Sequence, residues 1–212
     1  MLKDILMAKG KFVVIEGIDR SGKTTLSRNL AKEFQRGGNE VYLTHEPTSF
    51  FDMGLDVLNR LKKDDYMIFL AMFIRDRLEH NKIIKENLES GKTIICDRYS
   101  LSSLAYQGVF IRDLFNDNDS FLNWMETVLT VSHYKPDVTV FIDYNGKYYR
   151  QGNDEKRELE IFEDKEYLGG VYDLYNMAIS KKIFFDPGIV VDGNASKEKM
   201  LLDTISKLEK YL

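Results

Sequence analysis

The stretch from Phe12 to Thr25 reads F-V-V-I-E-G-I-D-R-S-G-K-T-T, and within it Gly17, Gly22, Lys23 and Thr24 hold the spacing G-x-x-x-x-G-K-[ST]. That spacing belongs to a phosphate-binding loop. Glycines let successive backbone N–H groups turn inward around phosphate oxygens, and the helix that follows aims the positive end of its dipole at the same place. Gly17, Ile18, Asp19, Arg20, Ser21, Gly22, Lys23, Thr24 and Thr25 are therefore expected to wrap the phosphates of a nucleotide. Lys23 would reach the β- and γ-phosphates and the Thr24 hydroxyl would ligate Mg²⁺. The neighbours decide whether the pattern is meant. Before the loop an apolar run reads as a short buried strand, and after it Leu26, Leu30, Ala31 and Phe34 recur with helical spacing.

A second group of chemically able residues follows the strand T-I-I-C-D from Thr93 to Asp97. The continuation D-R-Y-S-L-S-S-L-A-Y-Q-G packs hydroxyls, an amide and an aromatic ring into one turn-to-helix segment. The plainer account is an Asp97–Arg98 ion pair at a strand end. His45-Glu46-Pro47-Thr48 closes another strand, Glu40 to Thr44. In open α/β sheets that edge faces the ligand crevice, so His45 either contacts an anion or is an ordinary loop histidine.

Five strands separated by helices position these groups: Phe12 onward, Glu40–Thr44, Thr93–Asp97, Val138–Asp143 and Ile189–Asp192. The alternation implies a parallel sheet covered on both faces. The expected architecture is a three-layer α/β/α fold of the P-loop NTPase type with a five-stranded parallel sheet, one domain over residues 1–212. Helices are expected over Phe51–Lys63, Lys165–Lys181 and Lys197–Leu212, and an exposed loop over Asn116–Asp119. Trp124 falls among apolar residues at helical spacing and reads as core. Met67–Ile74 is almost wholly apolar, so it lies deep in the core or meets a second subunit. Asn145 to Glu166 is dense in charge and reads as a short mobile lid, about 145–160, beside the phosphate site.

The 212 residues suffice for one substantial core, and a net charge of −4 argues against a general nucleic-acid binder. The single cysteine, Cys96, cannot form an internal disulfide, which suits a reducing cytoplasm. No apolar run approaches the roughly 20 residues needed to cross a bilayer, so no membrane partner is expected.

Laid out in this way, the chain resembles the thymidylate kinases over nearly its whole length. The blocks are G-I-D-R-S-G-K-T, H-E-P, F-I-R-D-R, L-E-S-G-K-T-I-I-C-D-R-Y-S-L-S-S-L-A-Y-Q-G and K-P-D-V-T-V-F-I-D. The loop alone says only "nucleotide"; the D-R-Y-x-x-S-S-x-A-Y-Q-G block is the specific part. The resemblance implies transfer of the γ-phosphoryl of ATP to dTMP, with Mg²⁺, in a homodimer. It puts Asp19 near the sugar 3′-hydroxyl and the acceptor phosphate, Phe73 on the face of thymine, and Arg77 on the base edge. Arg98 would grip the monophosphate. Ser102, Ser103, Tyr106 and Gln107, with Glu46, would complete the acceptor site. For Phe73 the alternative is core packing.

Catalysis of phosphoryl transfer is mostly positioning and charge neutralisation, so one arginine near the moving γ-phosphoryl is expected besides Lys23 and Arg98. The family divides between a loop and a lid position for it. Here Arg20 occupies the loop position while Ile161 stands at the lid position. Arg150, Lys156 and Arg157 are the remaining lid candidates, with Lys156 and Arg157 expected over the ATP phosphates. His45 stands where a common pattern has arginine, so an acceptor-phosphate contact is missing, pH-dependent or supplied by Arg60. Competing readings are a kinase for another pyrimidine deoxynucleotide or deoxynucleoside, and a nucleotide-dependent regulatory switch. Against the last, the chain has no N-K-x-D signature.

Overall fold

Strand β1 (Phe12–Glu16) is buried along its whole length, and its side chains alternate between two apolar layers. Val13 and Ile15 join one layer, Phe12 and Val14 the other. A nearly continuous apolar run has this fate at the centre of a parallel sheet, where both faces are covered. The computed structural model describes residues 10–49, 65–144 and 165–212.

β1 pairs in parallel with β3 (Thr93–Asp97) on one side and with β4 (Val138–Asp143) on the other. β2 (Val41–His45) extends the sheet beyond β3, and β5 (Gly188–Asp192) extends it beyond β4. The strand order is β2-β3-β1-β4-β5. In the register Asp97 lies beside both Ile15 and His45, so the segments leaving β1, β2 and β3 emerge at one edge of the sheet.

Helices α1 (Lys23–Arg36) and α6 (Lys197–Leu208) cover one face, where Leu26, Leu30 and Phe34 meet Met200, Ile205 and Leu208 over the β-strand side chains. The other face carries α2 (Tyr66–Glu89), α3 (Ser100–Ile111), α4 (Asn118–Thr130) and α5 (Lys165–Ser180). Its main core runs from Leu104 and Phe121 to Leu174 and Tyr175. Gly108 lets α3, α4 and α5 approach, since a Cβ there would stand 2.9 Å from Phe121 Cζ and 3.0 Å from Leu174 Cδ1. Three layers and five parallel strands match the expectation.

Several boundaries move. β2 starts and ends one residue later than expected, which makes His45 its last residue. Half of the expected Asn116–Asp119 loop is helical, because Asp117 caps α4 by accepting the Ser120 N–H at 2.8 Å. The closing helix stops at Leu208 rather than Leu212. The apolar run Met67–Ile74 is not deep in the core: Leu70 and Ile74, one turn apart, face the core, while Met67 and Ile68 are each 45% exposed. Trp124 packs beside Phe115 at the core's edge, as expected. The expected helix over Phe51–Lys63, Arg60 and the charged 145–160 segment lie outside the described residues. Among the described residues no helix is long and apolar enough to cross a membrane.

Candidate active site

The turn from β1 into α1 depends on two glycines. Gly17 has φ 149°, and a Cβ there would meet Ser21 Oγ at 2.9 Å and the Ile142 carbonyl at 3.0 Å. Gly22 caps α1 at φ 97° and offers no side chain to the first-turn N–H groups, and the first turn holds no acidic residue. Such N–H groups suit a ligand, and the helix dipole favours an anion. Lys23 is buried and donates to the Ile18 carbonyl at 2.6 Å. Burial, followed by the charge of Arg98, brings its pKa down to about 7. Thr24 Oγ1 donates to Asp97 Oδ2 at 2.6 Å, and the buried Asp97 Oδ1 has no hydrogen-bond partner among the described residues.

Beside this cradle stands Arg98, in a left-handed conformation (φ 72°) at the start of the β3–α3 turn. Side chains other than glycine adopt it at a cost that surrounding structure must offset. Glu16 supplies much of that structure. Fully buried, it accepts the Tyr99 N–H at 2.9 Å, the Ser102 N–H at 3.1 Å, the Ser102 hydroxyl, and the Tyr175 hydroxyl at 3.0 Å. Burial pushes the Glu16 carboxyl above its ordinary pKa, while the Ser102 hydrogen bonds and the Arg98 charge pull the other way. The Arg98 guanidinium pairs with Asp19, donates to Tyr106 OH at 3.1 Å and to Ser102 Oγ at 3.3 Å, and lies 4.6 Å from the Tyr106 ring centre. Tyr106 OH in turn donates to Asp19 Oδ2 at 2.9 Å. Burial acts against the Arg98 charge, yet Tyr106, Tyr175 and Asp19 together hold its pKa above the ordinary value. Asp97 and Arg98 therefore turn to different partners instead of capping the strand as a pair.

A third group sits behind these. Arg77 is fully buried on α2, with Nε 2.8 Å and Nη2 2.7 Å from Glu46 Oε2, and Nη2 2.6 Å from Ser103 Oγ. Burial opposes its charge, but Glu46 more than offsets this and its pKa stands above the ordinary value. Nη1 is buried without a partner among the described residues, and so is Gln107 Oε1. Phe73, one turn before Arg77 on the same face of α2, is half-buried.

Asp19, Arg20, Lys23, Thr24, Asp97 and Arg98 open into one cavity of about 710 Å³, which Glu46 and His45 also line. Gly17, Ile18 and Ser21 form the loop behind it. Phe73, Arg77, Ser103, Tyr106 and Gln107 do not line it; Glu46 joins it to Arg77, and Arg98 joins it to Tyr106. The hydroxyl of Thr24 and the carboxylate of Asp97, whose Oδ1 has no hydrogen-bond partner among the described residues, are hard donors that suit a divalent cation. Among the described residues no group of three or more His, Cys, Asp or Glu could hold a metal.

The family model for thymidylate kinase matches residues 15–200, a span holding both cradles and the sheet. The chain belongs to the thymidylate kinase family. A probable thymidylate kinase of Thermoplasma acidophilum is 31% identical over 199 residues, 93% of this chain and 95% of that protein. One of Picrophilus torridus is 33% identical over 208 residues, 95% of this chain and 96% of that protein. The crystal structure of thymidylate kinase from Ehrlichia chaffeensis superposes with a TM-score of 0.70 at 28% identity, over 93% of this chain and 98% of that one. As a thymidylate kinase this protein is a phosphotransferase acting on a nucleoside monophosphate.

Most residues singled out from the thymidylate kinase resemblance thus fall around two adjoining cradles, with Arg20 exposed at φ 64° on the rim. Arg150, Lys156 and Arg157 lie outside the described residues. Sequence reasoning passed over Asp97 as a site residue, although its place at a strand end before Arg98 was a signal. It also passed over Glu16, whose carboxylate in an apolar strand had to have buried partners. His80 and Tyr175 carried no signal, since their partners Glu46 and Glu16 lie 34 and 159 residues away.

Proposed function

We propose that the chain transfers the γ-phosphoryl of ATP to the 5′-phosphate of dTMP, giving dTDP and ADP, with the P-loop as donor cradle and Arg98 at the centre of the acceptor cradle. What supports this is the single cavity shared by Lys23, Thr24 and Asp97 on one side and Asp19 and Arg98 on the other. Two anions held there can meet within one cavity.

In this reading the backbone N–H groups from Gly17 to Thr25 hold the donor phosphates, and Lys23 leaves the Ile18 carbonyl for their β- and γ-oxygens. Thr24 and Asp97 would hold Mg²⁺, whose charge offsets that of the phosphates. Arg98 exchanges Asp19 and Tyr106 for oxygens of the acceptor phosphate, a planar fork suited to that geometry. Asp19, so released, accepts the sugar 3′-hydroxyl. Phe73 stacks on the base, worth about 1–3 kcal/mol. Arg77 Nη1, which has no partner among the described residues, takes the base carbonyl, and Ser103 and Gln107 border the same edge. An acceptor phosphate oxygen attacks the γ-phosphorus in line while the bond to the ADP β-phosphate oxygen breaks. With its second pKa of about 6, the acceptor phosphate is mostly ionised near pH 7, so no general base is required. Arg20, on the rim of the donor cradle, neutralises charge on the moving group.

We place the protein in the cytoplasm, with ATP and dTMP as its partners rather than nucleic acid or membrane, and as a homodimer. The exposed Met67, Ile68 and Leu78 on α2 support an apolar subunit contact. The direct test is an assay of ADP release with thymidine, dTMP, dUMP, dCMP and the other monophosphates as acceptors. Turnover with dTMP is expected; turnover with thymidine and none with dTMP would refute the assignment.

A further inference from the structure

His80 belongs to no part of the site described so far. It is 1% exposed, three residues after Arg77 on α2, and engaged at both ring nitrogens. Nδ1 lies 3.0 Å from Glu46 Oε1 and Nε2 lies 2.8 Å from Thr44 Oγ1. Since a carboxylate only accepts, Nδ1 carries the proton toward Glu46. The two oxygens of Glu46 are thereby divided: Oε1 serves His80, and Oε2 alone serves Arg77 Nε and Nη2.

That division has a consequence for Arg77. A carboxylate facing a guanidinium ordinarily engages it fork to fork, with both oxygens on two nitrogens. The terminal torsion of a glutamate is soft, so nothing in Glu46 itself prevents its second oxygen from swinging toward Arg77. His80 occupies that oxygen, and Thr44 fixes the ring that does so. A fork would use the same Nε–Nη2 edge, while Nη1 lies on the far side and, among the described residues, is buried without a hydrogen-bond partner.

We propose that His80 is a positioning residue for acceptor recognition: by holding Glu46 Oε1 it fixes the carboxylate that orients the Arg77 guanidinium, keeps Nη1 turned to the base and so sets the discrimination between pyrimidines. This rests on the reading of Arg77 given above. Thymine and uracil present a carbonyl oxygen at position 4, whereas cytosine presents an amino donor there that Arg77 would oppose. Without His80, Glu46 can bring both oxygens to the Nε–Nη2 edge, the guanidinium shifts with it, and as Nη1 loses its aim the preference for the carbonyl fades. Thymine and uracil share that carbonyl and differ only in the methyl group at position 5, so the preference for thymine over uracil should be untouched.

The test uses the full chain with His80→Leu, His80→Asn, Thr44→Val and Arg77→Met, each assayed for kcat/KM on dTMP, dUMP and dCMP and for the KM of ATP. His80→Leu is expected to lower the dTMP/dCMP ratio about tenfold, one hydrogen bond's worth of discrimination. The dTMP/dUMP ratio and the KM of ATP should stay within about twofold, the signature of a positioning effect confined to one base edge. His80→Asn, which keeps an N–H donor toward Glu46, restores much of the ratio, and Thr44→Val shifts it slightly in the same direction. If His80→Leu does not fold, the Asn and Val variants decide: the Val shift supports the inference, and a ratio unchanged in it overturns it. A dTMP/dCMP ratio unchanged in His80→Leu, or equal losses on all three acceptors, while Arg77→Met shifts the ratio, overturns the role of His80 alone. A ratio unchanged in Arg77→Met removes the base-reading role of Arg77 and this inference with it.

Discussion

Raising the pH should weaken nucleotide binding well before the P-loop itself is disturbed. Lys23 is buried against the Ile18 carbonyl, and in the free protein its pKa is brought down to about 7. Nucleotide phosphates need the charged ammonium and, once bound, hold its proton, so binding takes up a proton and affinity falls as pH rises. With a pKa of about 7, the charged fraction is about one half at pH 7, about a tenth at pH 8 and about a hundredth at pH 9. Apparent affinity scales with the competent fraction, so the Kd for ADP should rise about fivefold from pH 7 to 8 and about fiftyfold from pH 7 to 9. ADP is the right probe because phosphate groups with a pKa near 6 are already ionised over that range. Calorimetric titrations at each pH, in buffers of different ionisation enthalpy, give both Kd and proton uptake. About half a proton should enter at pH 7 and about nine tenths at pH 8. The Lys23→Arg variant, charged throughout, should show a flat profile whatever its absolute affinity. A wild-type Kd constant within twofold from pH 7 to 9, with no proton uptake, would refute the reasoning.

Other perturbations test other parts of the site. Arg20→Ala should lower kcat by more than about a hundredfold, within the range for arginines at transferring phosphoryl groups; a variant that keeps most of its kcat removes Arg20 from that role. Glu46→Gln leaves the buried Arg77 charge uncompensated at a cost of about 3–5 kcal/mol. At about 2–4 °C per kcal/mol for a chain of this size, calorimetry should find Tm lowered by about 6–20 °C, and a change below 2 °C would contradict the pairing. Tyr175→Phe takes a donor from the buried Glu16 carboxylate and should cost about 1–3 kcal/mol in denaturant unfolding. A loss under about 0.5 kcal/mol would show that Ser102 and Tyr99 satisfy Glu16 without it.

What could be read from residues alone was whatever the chain states locally. The P-loop is a run of consecutive backbone N–H groups, so its glycines, Lys23 and Thr24 appear as a spacing. The five strands appear because each buried run is short, apolar and bounded by turns, and the parallel order follows from their alternation with helices. The D-R-Y segment was legible for the same reason, since Arg98, Ser102, Ser103, Tyr106 and Gln107 fall within one turn and one helix. Pairings across the chain had to await the fold. Asp97 meets Thr24 only because β3 lies beside β1, Glu16 meets Tyr175 only because α5 crosses under the loop, and His80 meets Glu46 only because α2 runs along the end of β2. The run Met67–Ile74 shows the converse, an apolar sequence that tertiary packing left half exposed. Local patterns record which backbone conformation and which burial a segment can accept. Which distant polar group satisfies a buried carboxylate depends on where the strands and helices come to rest.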